Sequence, residues 1–396
     1  MMRVMAIIQA PRQHASTVNS LLILGAGMQG VAAAYDCAKF GDFDRILFAD
    51  IDTSAAEAGS RRVNRLIGRE LCKPLGFDAT NRSALSHELP RHRLAISALP
   101  YAMHRTVEEV AIDAGCSVVD MGIDTPDALA VHALDERAKE NGVAVVTDCG
   151  LAPGLVNVLA AGLLARCPEA TAVRSYCGGL PETPVPPLGY VLRFSMDSVV
   201  GEYCEPVLAL RDGAVVEGEP LERLEAIDFD GVGRLEAFTT SGGTGTAPYS
   251  FRGRVPSYEY KTLRYPGHVA AMQLFRDCGF WSDDPVAGLD QTPRAAFSAI
   301  MGANLRRPEI QDIVVVRVEA ESPAGVRRME MLEHQDPETG FTAMERLTGF
   351  STAIVAMEVG SGQIGPGCRG CEVAVDPKRF QAELARRGFS INERAS

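Results

Sequence analysis

Leu21-Leu22-Ile23-Leu24-Gly25-Ala26-Gly27-Met28-Gln29-Gly30 decides the fold. Four apolar residues without a polar interruption read as a strand buried on both faces of a parallel sheet. The glycines that follow fit G-x-G-x-x-G, and Val31 to Phe40, closed by Gly41, reads as an Ala-rich helix. Ile46 to Ala49 is a second apolar run ending in Asp50, so the segment is strand, turn, helix, strand. Three glycines in six residues are weak alone. Here they sit between strand and helix, and Asp50 stands twenty residues beyond Gly30, the spacing of a dinucleotide fingerprint. Gly25 permits the tight turn, Gly27 admits the pyrophosphate to the backbone, and Gly30 lets helix and strand pack. The helix start at Met28 and Gln29 offers free N–H groups and a positive dipole end to the phosphates. Asp50 is placed to accept from the adenosine ribose hydroxyls and to repel a 2′-phosphate, which favours NAD over NADP. The arginines at 61 and 62 lie a helix away and read as solvated.

Outward from this unit the alternation continues. Leu94 to Leu99, Ser117 to Val119 and Val143 to Val146 are strand-like; Tyr101 to Ala114 and Pro126 to Asn141 are helix-like, the second with Thr125 as N-cap. Ser97-Ala98-Leu99-Pro100 falls at a strand's carboxyl end, where ligands of open α/β sheets lie, and is expected to border the nicotinamide ribose. From about Leu151 the grammar changes. A helix opens at Pro153, strands such as Val191 to Phe194 and Ile313 to Val318 lie between Pro- and Gly-rich turns, and Val326 to Leu332 pairs back across Ala324-Gly325. Phe350 to Val359 is a continuous apolar helix, and Pro377 to Arg387, capped by Asp376, is amphipathic. The expected class is α/β: a doubly wound Rossmann domain plus an α+β substrate domain with a mixed, largely antiparallel sheet. Its boundaries are 18–150 with 342–396 for the discontinuous dinucleotide domain and 151–341 for the substrate domain.

At 396 residues two domains are the natural division. A net charge of −12, with 51 acidic against 39 basic residues, and the absence of a long Lys/Arg run exclude a phosphate backbone or an anionic membrane as partner. Met1 to Thr17 reads as a loose leader, with Val4 to Ile8 too short for a signal-peptide core, and the chain is expected in the cytoplasm. The ten cysteines are scattered, as buried thiols of a reducing compartment. Cys368 and Cys371 form the one tight pair, lacking two further zinc ligands, and no metal is expected.

Read beside that start, Asp148-Cys149-Gly150-Leu151-Ala152-Pro153-Gly154-Leu155 resembles the saccharopine dehydrogenase family, with the lysine 6-dehydrogenase-like branch the closer match. Ser97 to Tyr101, Cys177 to Pro181, Thr239 to Gly243 and Lys261 to His268 are further similar blocks in order, and the resemblance runs from about Leu21 to about Gly388. It implies a C-terminal segment completing the Rossmann domain, and oxidation of a C–N bond. The activity so implied is NAD-dependent removal of the ε-amine of L-lysine or a close amino-acid relative. The rivals are a saccharopine-type dehydrogenase using NAD or NADP, and a non-catalytic NAD-sensing protein. An arginine that helps hold saccharopine in the reductase branch, just after a strand ending in Phe-Ser, is replaced here by the Ser198-Val199 region. The implied partner is a small amino-acid substrate, and a homodimer or homotetramer is expected.

Amine oxidation needs a base near neutrality. Asp120, ending a strand at the ligand edge, is one candidate, with a turn-capping role as its alternative. Lys261, if burial depressed its pKa, is the other. Arg264 is the natural bidentate clamp for a substrate carboxylate. Tyr101, Cys177, Thr240 and Ser241 are further expected substrate contacts, and His104 and His268 are weighed as proton shuttles against structural roles.

Overall fold

The computed structural model describes residues 19–396. The proposed leader and Val18 lie outside the described residues. The strands are β1 (Ser20–Leu24), β2 (Arg45–Asp50), β3 (Cys72–Gly76), β4 (Leu94–Ser97), β5 (Ser117–Asp120), β6 (Ala144–Thr147), β7 (Ala172–Pro181), β8 (Val207–Arg211), β9 (Ala214–Gly218), β10 (Glu225–Phe229), β11 (Gly233–Phe238), β12 (Ser257–Arg264), β13 (Asp312–Ser322), β14 (Gly325–His334), β15 (Gly367–Gly370) and β16 (Asn392–Ala395).

Why β1 is apolar throughout is visible in its neighbours. Leu21 and Ile23 enter one core and Leu22 and Leu24 another, on opposite faces of the same strand, so every side chain is buried. The first sheet is wholly parallel, in the order β15-β6-β5-β4-β1-β2-β3. The sequence reading missed β3, whose Lys73-Pro74 breaks the apolar pattern. It is an edge strand, where a proline costs no ladder bond.

The C-terminal chain returns to this sheet. Helix Ala343–Gly360 opens with a capping box, Thr342 and Glu345 each bonding the other's backbone N–H. It packs so closely on helix Met28–Phe40 that a β-carbon on Gly349 would stand 2.6 Å from that of Ala32. The β15 strand then extends the sheet beside β6. Beyond helix Pro377–Arg386, the guanidinium of Arg387 meets the buried carboxylate of Asp36 at 2.8 Å, tying the tail to the first helix. The expectation that all of 342–396 returns here fails at its end: β16 pairs with β14 in the other sheet.

Among the described residues that second sheet has nine strands, β10-β11-β12-β7-β13-β14-β16 with β8 and β9 joined at β12. Only β7 and β12 run parallel within it, so it is mixed and largely antiparallel, and the chain as a whole is α/β. The β13–β14 hairpin forms as read, with Ser322 opposite Gly325 across Pro323-Ala324. Two expectations are corrected. Pro126 to Asn141 is two helices, Thr125–His132 and Asp135–Glu140, with Asp124 at the cap position in place of Thr125. There Asp135 serves a tertiary bond, accepting from Cys368 N at 2.8 Å to hold β15 in place. Val191 to Phe194 is an irregular crossing, not a strand; Leu192 N donates to Leu305 O, tying it to helix Pro293–Leu305. No helix among the described residues is long and apolar enough to cross a membrane.

Candidate functional site

A cleft of about 1600 Å³ runs from the carboxyl ends of β1 and β4 to β7 and β12. The first sheet puts β1 between β2 and β4, so the strand order reverses there and leaves a crevice for ligand. The three glycines divide by role. Gly25 has φ +100°, and a β-carbon on it would overlap the Ala98 carbonyl; one on Gly30 would overlap the carbonyl of Gly25. Among the described residues nothing lies within 4 Å of the β-carbon position of Gly27, which opens on the cleft, the room a pyrophosphate needs. Met28, Gln29, Ala98, Leu99, Pro100, Tyr101 and His104 line the same end. Asp50 closes the loop from outside: Oδ2 accepts from Ala26 N at 2.7 Å and Oδ1 from Asp52 N at 2.9 Å.

Ser97 is corrected to a supporting position. It is buried behind the lining, its hydroxyl 2.8 Å from His104 Nδ1. Burial lowers the pKa of His104, which holds it neutral at physiological pH.

Asp120 is also corrected. It has no face on the cleft; Met121 and Gly122 line it instead. Asp120 Oδ1 accepts from Gly122 N at 2.7 Å and Asp148 N at 3.1 Å, which is the turn-capping alternative. Its neighbours Glu108 and Asp148 are buried carboxyls, pushed well above the usual range first by desolvation and then by the charge of Asp120.

Lys261 is overturned as a base by strand alternation. Tyr260, Thr262 and Arg264 of β12 line the cleft, which turns Lys261 to the opposite face. There its ammonium donates to Glu225 Oε1 and Arg223 O, each at 2.7 Å. Lys261→Met should therefore leave kcat/KM unchanged within about twofold, and the loss of a partly exposed ion pair should cost about 1 kcal/mol or less. Steady-state kinetics with a denaturation curve checks this, and a large fall in kcat would restore Lys261 to the mechanism.

Thr240 and Ser241 stand one layer back. The Thr240 hydroxyl is 2.8 Å from that of Thr262, and Ser241 N donates to Glu202 O at 2.9 Å, so they brace the wall without reaching the cleft. Cys177 does line it, with a thiol that burial pushes up to about 12 and so keeps protonated. Arg264 lines it as well. Its guanidinium carbon lies 4.7 Å over the Tyr190 ring, Nη1 donates to Leu263 O at 3.0 Å, and Nε has no partner among the described residues. His268 bonds Tyr203 Oη and Leu188 O, and burial with the charge of Arg264 lowers it to about 3, so it is a neutral structural group.

The sequence reading missed three charged groups here. Glu202, ending helix Met196–Glu202, presents a carboxyl that burial pushes up to about 7, opposed by Arg264 and assisted by Glu205. Arg193, in the irregular crossing, donates to Arg307 O at 3.1 Å and to Ile310 O, and its Nε lies 3.9 Å from the buried carboxylate of Asp312. Arg62, expected in solvent, instead stacks 4.1 Å over Phe341 and meets Glu345 at 3.4 Å where the cleft reaches helix Ala343–Gly360. None of the three belongs to a motif; only the apolar company of Glu202 hinted at burial. Cys368 and Cys371 are buried free thiols, and among the described residues no group of three or more His, Cys, Asp or Glu side chains could hold a metal.

A parallel sheet with a glycine loop at its switch point, facing a cationic wall on a mixed sheet, defines a two-part dinucleotide-binding protein. The chain belongs to the saccharopine dehydrogenase family: the family model described as the saccharopine dehydrogenase NADP binding domain matches residues 21–146, and the C-terminal domain model matches 150–389. It is 32% identical over 220 residues to a saccharopine dehydrogenase [NADP(+), L-glutamate-forming] of Pyricularia oryzae, covering 53% of this chain and 48% of that protein. It is 28% identical over 215 residues to the mitochondrial alpha-aminoadipic semialdehyde synthase of Bos taurus, covering 52% of this chain and 23% of that one. The chain thus spans about half or less of the length of these curated relatives. Among solved structures, the apo saccharopine dehydrogenase (L-Glu forming) of Saccharomyces cerevisiae shares the fold, with a TM-score of 0.77 at 19% identity over 96% of this chain and all of that one.

Proposed function

We propose that the chain oxidises a C–N bond of an amino acid with a pyridine nucleotide, the ε-amine of L-lysine or of a close relative being the reacting group. One observation carries this reading: a single cleft joins the glycine loop to a wall bearing Arg264, Arg193 and Glu202. The cofactor, when bound, accepts a hydride from the carbon that carries nitrogen. The chain's own part is to bind, orient and move protons. Gly27 and the start of helix Met28–Phe40 receive the pyrophosphate. Arg264 holds a carboxylate, and the apolar lining of Leu99, Leu151 and Phe194 limits water at the reacting carbon.

A second reading, cleavage of a secondary amine in the saccharopine manner, is favoured by Arg193. A second buried cation on the wall suits a substrate with more than one carboxylate, and it restores a positive group to the segment where the Ser198-Val199 region lacks one. The test is an amine panel containing L-lysine and saccharopine with each cofactor, followed by the absorbance of reduced nicotinamide. Turnover of an amino-acid amine is expected; a folded protein that binds NADH and oxidises none of them is a sensor.

NAD is the proposed cofactor despite the NADP in the name of the Pyricularia oryzae relative and of the matching N-terminal domain, because Asp50 is a carboxylate at the mouth of the glycine loop. Asp50→Ala should weaken NAD by about tenfold, the worth of one charged hydrogen bond, and should improve NADP by removing the repulsion. Equal catalytic efficiency of the unaltered protein with both cofactors would refute this.

A further inference from the structure

Oxidising an amine needs a proton acceptor, yet Asp120 has no face on the cleft and Lys261 lies on the wrong side of the sheet. We propose that Glu202 is the general base of the cleft, taking the proton from the substrate ammonium and then from the water that opens the imine. The inference rests on the proposed C–N oxidation.

Geometry carries it. Glu202 stands where helix Met196–Glu202 ends against the cleft, and its main chain is fixed there, since Ser241 N donates to its carbonyl at 2.9 Å. Among the described residues its side chain has no hydrogen bond or ion pair, unlike Glu225, Glu259 and Glu345, each occupied by a cation. Arg264 is near enough to act on it electrostatically and is itself a cleft-lining cation, so carboxylate clamp and base share one wall. The groups facing Glu202 are Arg264 and Tyr260 from β12, Tyr190 from the irregular crossing, Cys177 from β7, and Tyr203 and Glu205 from its own stretch. Burial holds the phenols and the thiol protonated, so the charges that act on Glu202 are those of Arg264, which lowers it, and Glu205, which raises it. Their opposed effects, added to desolvation, leave the carboxyl at about 7, the range in which one group can both accept and return a proton.

Glu202 takes one proton from R₂CH–NH₃⁺. The carbon gives a hydride to the oxidised nicotinamide and becomes R₂C=NH₂⁺, so two electrons reduce the cofactor. Glu202 releases its proton to solvent, takes one from water as the C–O bond forms, and returns it to nitrogen as the C–N bond breaks. The products are the carbonyl compound, ammonium, the reduced cofactor and one proton; a secondary amine leaves as a primary amine in place of ammonium.

Because the base works deprotonated, kcat/KM of the unaltered protein should fall as pH drops below about 7. Glu202→Gln keeps the shape of the side chain and should lose roughly 100- to 10,000-fold in kcat, with that acid limb abolished and NADH affinity unchanged. Glu202→Asp, shorter but still a carboxylate, should recover part of the rate together with the limb. A Gln variant that keeps the limb while the unaltered protein oxidises an amine overturns Glu202 alone. An unaltered protein that oxidises no amine overturns the C–N reading, and Glu202 with it. A difference titration of the unliganded proteins gives a readout free of turnover: the Gln variant should take up one proton fewer around neutrality, and equal uptake counts against the base.

Discussion

Gly27→Val is expected to give a folded protein that has lost its dinucleotide, whereas Gly25→Ala should give one that barely folds. The two residues belong to one motif but meet different surroundings. A side chain on Gly27 projects into open cleft, so it strains nothing in the free protein. It fills the approach of the pyrophosphate, and losing two charge-assisted bonds from backbone N–H groups costs roughly 3–6 kcal/mol, more than a hundredfold in affinity. On Gly25 a methyl meets the Ala98 carbonyl, and the backbone stands at φ +100°. Strain of about 1–3 kcal/mol adds to overpacking of similar size, comparable to half of a typical domain's stability. Gly30→Ala should resemble Gly25→Ala, since its methyl meets the Gly25 carbonyl. NADH fluorescence titration and thermal melts separate the two effects. Undiminished NADH affinity in Gly27→Val, or equal loss of stability at 25 and 27, would remove the distinction.

That contrast also shows which features are legible in a linear sequence. A motif that makes its own structure can be read: β1, the glycine loop and Asp50 interact within one βαβ unit, and the apolar run already implies cover on both faces. The hairpin of β13 and β14 is local in the same way. Tertiary choices are not. The β3 strand is a strand because it lies on an edge, although Lys73 and Pro74 argue otherwise. Val191 to Phe194 has strand composition, but its backbone is spent on helix Pro293–Leu305, far away in sequence. The cleft was half readable for the same reason. Arg264 is legible from its block; Lys261, three residues away in that same block, lies off the site because period-two alternation sets 261 and 264 on opposite faces. Thr240 and Ser241 sit in a family-like loop but brace Thr262 and Glu202 instead of meeting substrate. Glu202 carries no motif; its chemistry comes from Arg264 and the apolar wall, which only folding assembles.

Arg264→Lys is expected to raise KM for lysine about ten- to more than a hundredfold while NAD affinity stays as it was. The charge survives the substitution; the planar fork does not. With Nη1 given to Leu263 O and the guanidinium stacked on Tyr190, the fork is held in one orientation on the cleft wall, and a lysine ammonium reproduces neither the stacking nor the paired geometry. A diamine of similar length lacks the carboxylate and should lose much less. Arg264→Leu separates charge from geometry by a second route. Arg264 is the group that pulls the Glu202 carboxyl down, against desolvation and Glu205, so removing its charge must raise that carboxyl further. The acid limb of kcat/KM should therefore move to higher pH in Arg264→Leu and stay in place in Arg264→Lys. A purely structural arginine predicts otherwise: both substrates would weaken alike, with a lower melting temperature and no separate movement of the limb. Equal losses for lysine and the diamine in folded variants would leave Arg193, the second cation on the same wall, as the carboxylate partner.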